Sequence, residues 1–241
     1  MKMFCLFFVL CCLVFGVMVG MAGCASTMGE PGVGKYTYVR MPLYEGAAKR
    51  TIPIWVDKGF GEADRLAIDD AIGAWNFALN GYLKLSVVDM EFDMEVSKIV
   101  MQVNQGGWLL LRITSDNPLI PNNSKGYWTI GFVEHVGGHH LYLVRDRLAN
   151  EAVFGVTLHE IGHLLGAGHV GNHLMNPHYS LARFQCIDYE TIVAVAAYWG
   201  LPADRLNYCI DKEVISSELT KKPLDGAVEE LNCPLGLPDS H

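Results

Sequence analysis

The stretch from Thr157 to His169 (TLHEIGHLLGAGH) constrains the fold and the chemistry of this chain more than any other. It places His159 and His163 four residues apart, so on an α-helix the two rings lie one turn apart and roughly 40° from each other around the axis. Both rings can therefore reach the same point beside the helix. Neutral imidazole is a good zinc ligand, and a catalytic zinc site uses three protein ligands and keeps a fourth position for water.

The residues around this pair supply the other groups that such a site needs. Glu160 follows the first histidine and is placed to take a proton from that water. Gly166 tolerates a left-handed backbone, so the helix can end there and the chain can turn back sharply. The turn brings His169 round as a third ligand. The sequence therefore predicts one catalytic zinc ion held by His159, His163 and His169, with Glu160 as general base.

The same stretch resembles the signature of the metzincin zinc metallopeptidases, H-E-x-x-H-x-x-G-x-x-H, at every fixed position. Met175 resembles the methionine of the turn that lies beneath the zinc in that family. Trp75 and Asn76 resemble a pair that is common near the end of the first helix of metzincin catalytic domains. Val170 differs from the residue expected in the main subfamilies, and bacterial matrixin-like lipoproteins are the closest placement.

The resemblance implies both a fold and an activity. The implied fold is α+β and zincin-like: a twisted mixed sheet, a first long helix, an active-site helix, and a C-terminal helix in a smaller lower subdomain. An edge strand just before the active-site helix would pair with an extended substrate. The implied function is a zinc-dependent endopeptidase in which Glu160 activates water. The alternatives are a catalytically inactive metzincin-like surface binding protein and a zinc amidase that acts on cell-wall peptides.

Apolar periodicity predicts the elements of this fold. Strands are predicted over residues 52–56, 83–88, 98–103 and 109–114, a hairpin over 127–134 and 140–145, and helices over 62–79 and 188–199. The active-site helix is predicted to begin near residue 150, with Asn150 as its N-cap.

The N-terminal residues predict export from the cytoplasm. Lys2 precedes an unbroken apolar run, which indicates a secretory leader over residues 1–23. The run ends in Met-Ala-Gly before Cys24, which resembles a bacterial lipobox, so Cys24 is the predicted lipidation site. An uncleaved membrane anchor and an ordinary cleaved signal are the alternatives. We expect an extracytoplasmic lipoprotein of the outer membrane or cell surface, or else a secreted or periplasmic protein.

The rest of the chain divides into three predicted segments. Residues 24–50 are rich in Ser, Thr, Gly and Pro and form a predicted tether. Residues 51–200 form the metzincin-like catalytic domain, and residues 201–241 form an irregular extension held by a disulfide. In an oxidising compartment the simplest pairs are Cys186–Cys209 and Cys209–Cys233.

Charge and the remaining candidate residues limit the partners. The net charge of −8 argues against nucleic acid as a partner. We therefore expect a protein or peptide substrate, attachment to a membrane through lipidated Cys24, and a monomeric protein.

His135, His139 and His140 are expected to be ordinary turn histidines, and no structural zinc or calcium site is identifiable. Tyr179 is either a transition-state stabiliser or a cleft-wall residue, because it lies two positions beyond the place where related families carry such a tyrosine.

Overall fold

A computed structural model describes most of the chain after the predicted leader. It covers residues 36–89, 106–121, 128–171, 173–180, 185–211 and 228–229. The predicted leader, the lipidation candidate Cys24, the strand predicted over 98–103 and Cys233 lie outside the described residues and stay predictions. Of the helices that are described, none has both the length and the apolar character needed to cross a membrane.

The described residues form a five-stranded mixed sheet in the order β3-β2-β4-β6-β5. Its strands are β2 (Arg50–Val56), β3 (Leu83–Asp89), β4 (Trp108–Ile113), β5 (Gly131–Val133) and β6 (His140–Val144). Strands β2, β3, β4 and β6 run parallel to one another, whereas β5 is an edge strand that pairs with β6 in the antiparallel direction. The strands predicted over 52–56, 83–88 and 109–114 thus form within two residues of their expected bounds. The predicted hairpin is present, but its first arm, predicted over 127–134, is a strand only over Gly131–Val133.

Two helices pack on one face of this sheet. They are α1 (Glu62–Ala78) and α2 (Val153–Leu164). Alternate strand residues such as Ile52, Ile54 and Leu143 point toward them and are buried, which is the period-two pattern of a strand covered on that face. The Trp75 indole Nε1 on α1 donates a hydrogen bond to the carbonyl of Leu158 on α2, at 2.9 Å, in the buried interior. The predicted first helix therefore fixes the position of the helix that carries the signature.

The start of α2 differs from the prediction. A 3₁₀ turn, Asn150–Ala152, precedes the helix, and the residue at the N-cap of α2 is Ala152, which makes no side-chain capping bond. The Asn150 carboxamide oxygen instead accepts a hydrogen bond from the guanidinium of Arg145. That guanidinium also pairs with the carboxylate of Asp64 on α1, at 2.7 Å. Asn150 therefore links the segment before α2 to α1 through Arg145, and its prediction as N-cap is wrong.

A second sheet lies in segments that were expected to be irregular. In the described residues its strands are β1 (Tyr36–Val39), β7 (Tyr208–Asp211) and β8 (Val228–Glu229), antiparallel in the order β7-β1-β8. Part of the predicted tether and part of the predicted extension are therefore paired strands. The local reason is that Thr37 and Val39 alternate with two tyrosines and are buried, a pattern that the surrounding Gly and Pro residues obscured.

The last helix, α3 (Tyr189–Trp199), matches its prediction closely. Asp188 caps it by accepting a hydrogen bond from the backbone amide of Thr191, at 3.0 Å. Gly200 ends it in the left-handed conformation, with φ of 61°. A disulfide joins Cys186, just before α3, to Cys209 on β7, which is one of the two pairs that the sequence allowed. The architecture is therefore α+β with a mixed sheet, as predicted.

Candidate metal centre and substrate cleft

The signature helix carries two of the three candidate ligands in a defined orientation. His159 and His163 are both buried, and their ring centroids lie 4.7 Å apart. Nδ1 of His159 is 2.6 Å from the Leu174 carbonyl, and Nδ1 of His163 is 2.7 Å from the Ala167 carbonyl. Because a carbonyl oxygen only accepts, each Nδ1 carries the proton and Nε2 is the ring atom with a lone pair. This tautomer is the one that binds a metal through Nε2.

The turn after α2 brings in the third ligand. Gly166 has φ of 94°, its amide donates to the His163 carbonyl at 3.0 Å, and the Ala167 amide donates to the Gly162 carbonyl at 2.9 Å. This pair of bonds is a Schellman motif, which ends a helix and reverses the chain. His169 follows, and its Nε2 lies 3.2 Å from Nε2 of His163. The predicted role of Gly166 in the turn is therefore visible in the backbone.

The three histidines could hold a metal ion. One ligand nitrogen from each of His159, His163 and His169 lies within 4.8 Å of the other two. A tetrahedral zinc with zinc–nitrogen distances of about 2.0–2.1 Å places two nitrogen ligands about 3.3 Å apart, close to the spacing of the His163 and His169 nitrogens. Among the described residues, no other group of three His, Cys, Asp or Glu side chains comes together in this way.

The surroundings keep these imidazoles neutral. Burial, followed by the neighbouring charge of His163, lowers the pKa of His159 to about 3, although the Leu174 carbonyl opposes the shift. Burial likewise lowers the pKa of His163 to about 4. Burial and then His178 lower the pKa of His169. A neutral ring is the form that binds a metal, so the centre does not have to release protons before it is loaded at neutral pH.

Glu160 lies between the signature helix and the edge strand. It is buried, and burial raises the pKa of its carboxyl to about 8. Its Oε2 has no hydrogen-bond partner among the described residues. A Cβ atom at Gly131 of β5 would lie 3.0 Å from Oε1 of Glu160 and 2.6 Å from Cγ1 of Val156. The edge strand therefore passes close to the carboxylate because residue 131 has no side chain.

A cleft of about 890 Å³ opens over these groups. Its floor is α2 with the three histidines and Glu160, one wall is the segment from Trp128 through β5, and the opposite wall is formed by Pro177, His178 and Tyr179. The prediction that one strand of the hairpin lines the cleft is confirmed for β5. Its position at the sheet edge leaves one side of its backbone facing the cleft rather than another strand.

Met175 lies beneath α2, where the sequence placed it. Its side chain is completely buried, and a Cβ atom at Gly162 would lie 2.6 Å from its sulfur. Its carbonyl accepts a hydrogen bond from the amide of Val170, at 3.1 Å. Met175 thus packs against the helix between the two ligand histidines and also closes the loop that follows His169.

A set of contacts behind the histidines was missed by the sequence analysis. The amide of Leu174, whose carbonyl orients His159, donates to Oδ2 of Asp188 at 3.2 Å, and Oδ2 also accepts from the hydroxyl of Thr191 at 2.8 Å. Asp188 therefore joins the start of α3 to the loop that holds His159. The N-cap role of Asp188 is recognisable in the sequence, but its bond to Leu174 depends on the tertiary fold.

The remaining candidates fall into two groups. Tyr179 and His135 line the cleft, and burial followed by the charge of Glu151 raises the pKa of Tyr179 to about 12, so its hydroxyl stays neutral. His140 is not part of the candidate metal centre, because its Nδ1 lies 2.8 Å from Oε2 of Glu134 at the start of the hairpin turn. His139 likewise lies outside the three-histidine group.

Comparison with known proteins finds similar solved structures but no matching family model or curated sequence. Solved structures that are similar include metalloproteinase-II from Bacteroides fragilis, at 19% identity and a TM-score of 0.41, and an archaemetzincin from Methanopyrus kandleri, at 16% and 0.37. The first alignment covers 66% of this chain and 56% of metalloproteinase-II, and the second covers 59% and 88%. This chain thus spans little more than half of metalloproteinase-II, and its chemistry is inferred from its own residues.

Proposed function

We propose that this protein is a zinc-dependent endopeptidase. The observation that carries the proposal is the meeting of three neutral imidazoles, with ligand nitrogens within 4.8 Å, and the buried carboxyl of Glu160 on the floor of one open cleft. The donor set of three nitrogens suits zinc and leaves a further coordination position, which is the composition of a catalytic rather than a structural zinc site.

His159, His163 and His169 would hold the zinc ion. A bound zinc ion would supply Lewis acidity at this point, which polarises a substrate carbonyl and makes water acidic enough to ionise near neutral pH. The carbonyls of Leu174 and Ala167 fix the rings of His159 and His163 in the tautomer that this role requires. The residues present therefore fit the metal.

Glu160 performs the proton transfers in the proposed reaction. Burial alone would keep this carboxyl largely protonated at neutral pH, and a zinc ion bound beside it would favour the ionised form. Its Oε2, which has no hydrogen-bond partner among the described residues, would then take a proton from the attacking water. The same carboxyl then gives the proton to the nitrogen that leaves when the peptide bond breaks. The edge strand β5 runs beside Glu160 and would hold an extended peptide through backbone hydrogen bonds. Such pairing places a carbonyl at the site without demanding particular side chains.

The location of this activity is also part of the proposal. We place the protein outside the cytoplasm, on a lipid attached to Cys24 at the outer membrane or cell surface. The Cys186–Cys209 disulfide supports this placement, because such bonds persist in oxidising compartments. Within the metzincins, a matrixin-like lipoprotein remains the proposed placement.

The decisive test compares Glu160→Gln with a matched surface variant, Glu62→Gln, whose glutamate is exposed in the first turn of α1. Wild type should cleave unstructured peptides, and a zinc chelator should abolish the cleavage. Glu160→Gln should lower the cleavage rate by roughly 10²–10⁴-fold and keep its zinc, measured by elemental analysis, because residue 160 is not a ligand. Glu62→Gln should match wild type. An active Glu160→Gln protein would contradict the mechanism.

A further inference from the structure

We propose that Trp128 is a substrate-binding residue, forming a subsite that takes a large apolar side chain of the peptide. This inference rests on the proposed peptidase function and names the substrate class of the same cleft. Nothing in the signature stretch points to Trp128, because it lies on the segment that leads into β5.

Trp128 is displayed at the cleft rather than packed in the core. Its side chain is 78% exposed, and it lines the same cavity as the three histidines and Glu160. An exposed indole costs free energy because its apolar surface is in contact with water. A single exposed aromatic residue needs no explanation on an open surface, but it does mark a binding site when it lines a cleft. Trp128 lines a cleft whose other apolar lining residues include Pro121, Ile130 and Val136. A ligand that covers the indole would recover the free energy of removing that surface from water.

The indole has an anchored neighbour that holds it in place. The Arg147 guanidinium lies over the Trp128 ring, 5.8 Å from its centroid. Arg147 is itself fixed by hydrogen bonds to the carbonyls of Thr129, at 3.1 Å, and Ser115, at 3.3 Å. A cation held against an aromatic face attracts it and restricts its motion. The ring is therefore partly ordered before a substrate arrives, which lowers the entropic cost of binding.

The charge of the cleft favours a neutral partner for this ring. Among the described residues that line the cleft, Glu160 is the one carboxylate, and there is no lysine, arginine or aspartate. The nearby cation, Arg147, is already bonded to the carbonyls of Thr129 and Ser115. A basic substrate side chain would be repelled there, and an acidic one would lose water against a cation whose charge is already shared with two carbonyls. A phenylalanine, tyrosine, leucine or methionine side chain would instead bury apolar area against the indole. The occupant of the subsite is therefore a large apolar side chain.

The position of Trp128 also sets how far that side chain lies from the cleaved bond. Trp128 precedes Gly131, which lies against Glu160, by three residues. At about 3.3 Å per residue, three extended residues span about 10 Å. A substrate lying extended along this segment would place a residue about three positions from the scissile bond over the indole.

The test measures the preference of the enzyme at each position of a peptide set. Peptides of one length carry Ala, Phe or Glu at a single position, scanned over four residues on either side of the cleaved bond. Zinc-loaded wild type should prefer Phe to Ala at one position by about tenfold in kcat/KM. Trp128→Ala should reduce this ratio to below about twofold, mainly through KM, and Trp128→Phe should restore most of it. Leu66→Ala, which alters an exposed leucine on α1, should keep the wild-type ratio.

A second measurement separates this inference from the proposed activity. Equilibrium binding of the Phe and Ala peptides to Glu160→Gln, with and without Trp128→Ala, requires no cleavage. If wild type cleaves nothing but tighter binding of the Phe peptide depends on Trp128, the subsite stands and the peptidase function falls. If cleavage occurs and Trp128→Ala retains the wild-type preference, or if no position prefers Phe, the subsite is overturned. Equal zinc content and melting temperature in all variants would show that the changes are local.

Discussion

The two halves of the candidate metal centre are built differently. His159 and His163 project from α2, with exposures of 5% and 7%, and their positions follow from the helix itself. His169 lies in an exposed loop that begins at the left-handed Gly166. The first half is held by a regular backbone in the middle of the core, whereas the second half depends on contacts made by residues far along the chain.

One link within the loop and two links to residues further along the chain stabilise the loop half. The Val170 amide bonds the Met175 carbonyl, the Leu174 amide bonds Asp188, and the Cys186–Cys209 disulfide fixes the segment just before Asp188. The helix half needs none of these to bring its two rings together, although the Leu174 carbonyl then orients the ring of His159. The difference shows that local periodicity positions the first two candidate ligands, and that contacts across the fold position the third. Variants that remove one tether at a time should therefore affect the loop half first.

The largest effect is expected for the disulfide. Cys186→Ser/Cys209→Ser opens a link across 23 residues, which should lower the free energy of unfolding by about 3 kcal/mol. Chemical denaturation would measure the loss, and limited proteolysis should cut between residues 169 and 188 before it cuts α2. Cys233→Ser is the control, because Cys233 belongs to the alternative pair. An equal loss in Cys233→Ser would show that the pairing is different in solution.

An intermediate effect is expected when the ligands are compared in the metal-free protein. His163→Ala removes the donor to the buried carbonyl of Ala167 and should lower the free energy of unfolding by about 2 kcal/mol. His169→Ala alters an exposed ring and should change it by less than about 0.5 kcal/mol. Both variants should lose zinc by elemental analysis. Similar destabilisation in both would mean that the loop half is as tightly integrated as the helix half.

A smaller effect is expected for Asp188→Asn. Asparagine can still cap α3, because its single amide oxygen can accept the hydrogen bond from the backbone amide of Thr191. No second oxygen is then left to accept from the Leu174 amide. The free energy of unfolding should therefore fall by about 1.5 kcal/mol. Because the Leu174 carbonyl orients His159, zinc affinity should fall by roughly tenfold. Competition with a fluorescent chelator would measure the affinity.

Thr191→Val provides the matched control for that variant. It removes the hydroxyl bond to Asp188 but leaves the Leu174 bond in place, so it should lower stability and keep the zinc affinity. If Asp188→Asn binds zinc as tightly as wild type does, then the contact between Asp188 and the loop does not position His159.

Much of the site could be predicted because its information is local. One helix and one turn fix the relative positions of His159, Glu160 and His163 and of the loop that follows Gly166, so the spacing of these residues in the sequence is enough to predict the arrangement. The strands of the larger sheet were equally accessible, since their apolar residues are bounded by turn residues. Asn150 was wrongly predicted as an N-cap because its side chain had a stronger partner in Arg145, which no local pattern reveals.

Strands that pair with distant partners were harder to predict. The strand β1 is short and lies in a segment rich in Gly and Pro, and its partner β7 lies about 170 residues further along the chain. Pairing over such a distance leaves no local periodicity beyond four alternating residues. Trp128 was missed for a related reason, since an exposed tryptophan becomes informative only when the cleft beside it is known.

By itself, the sequence singled out the three candidate ligands, the proposed general base, the turn at Gly166, the methionine beneath the helix and the α+β class. The histidine spacing and the turn follow from helix geometry, where neighbours in sequence are neighbours in space. The methionine and the fold class came from the resemblance of the sequence to the metzincin family. The tertiary structure alone decided that Cys186 pairs with Cys209, that Asp188 holds Leu174, that β5 lies against Glu160 and that Trp128 faces the cleft. These contacts join residues whose separation along the chain carries no periodic signal, so only the packed fold brings them together.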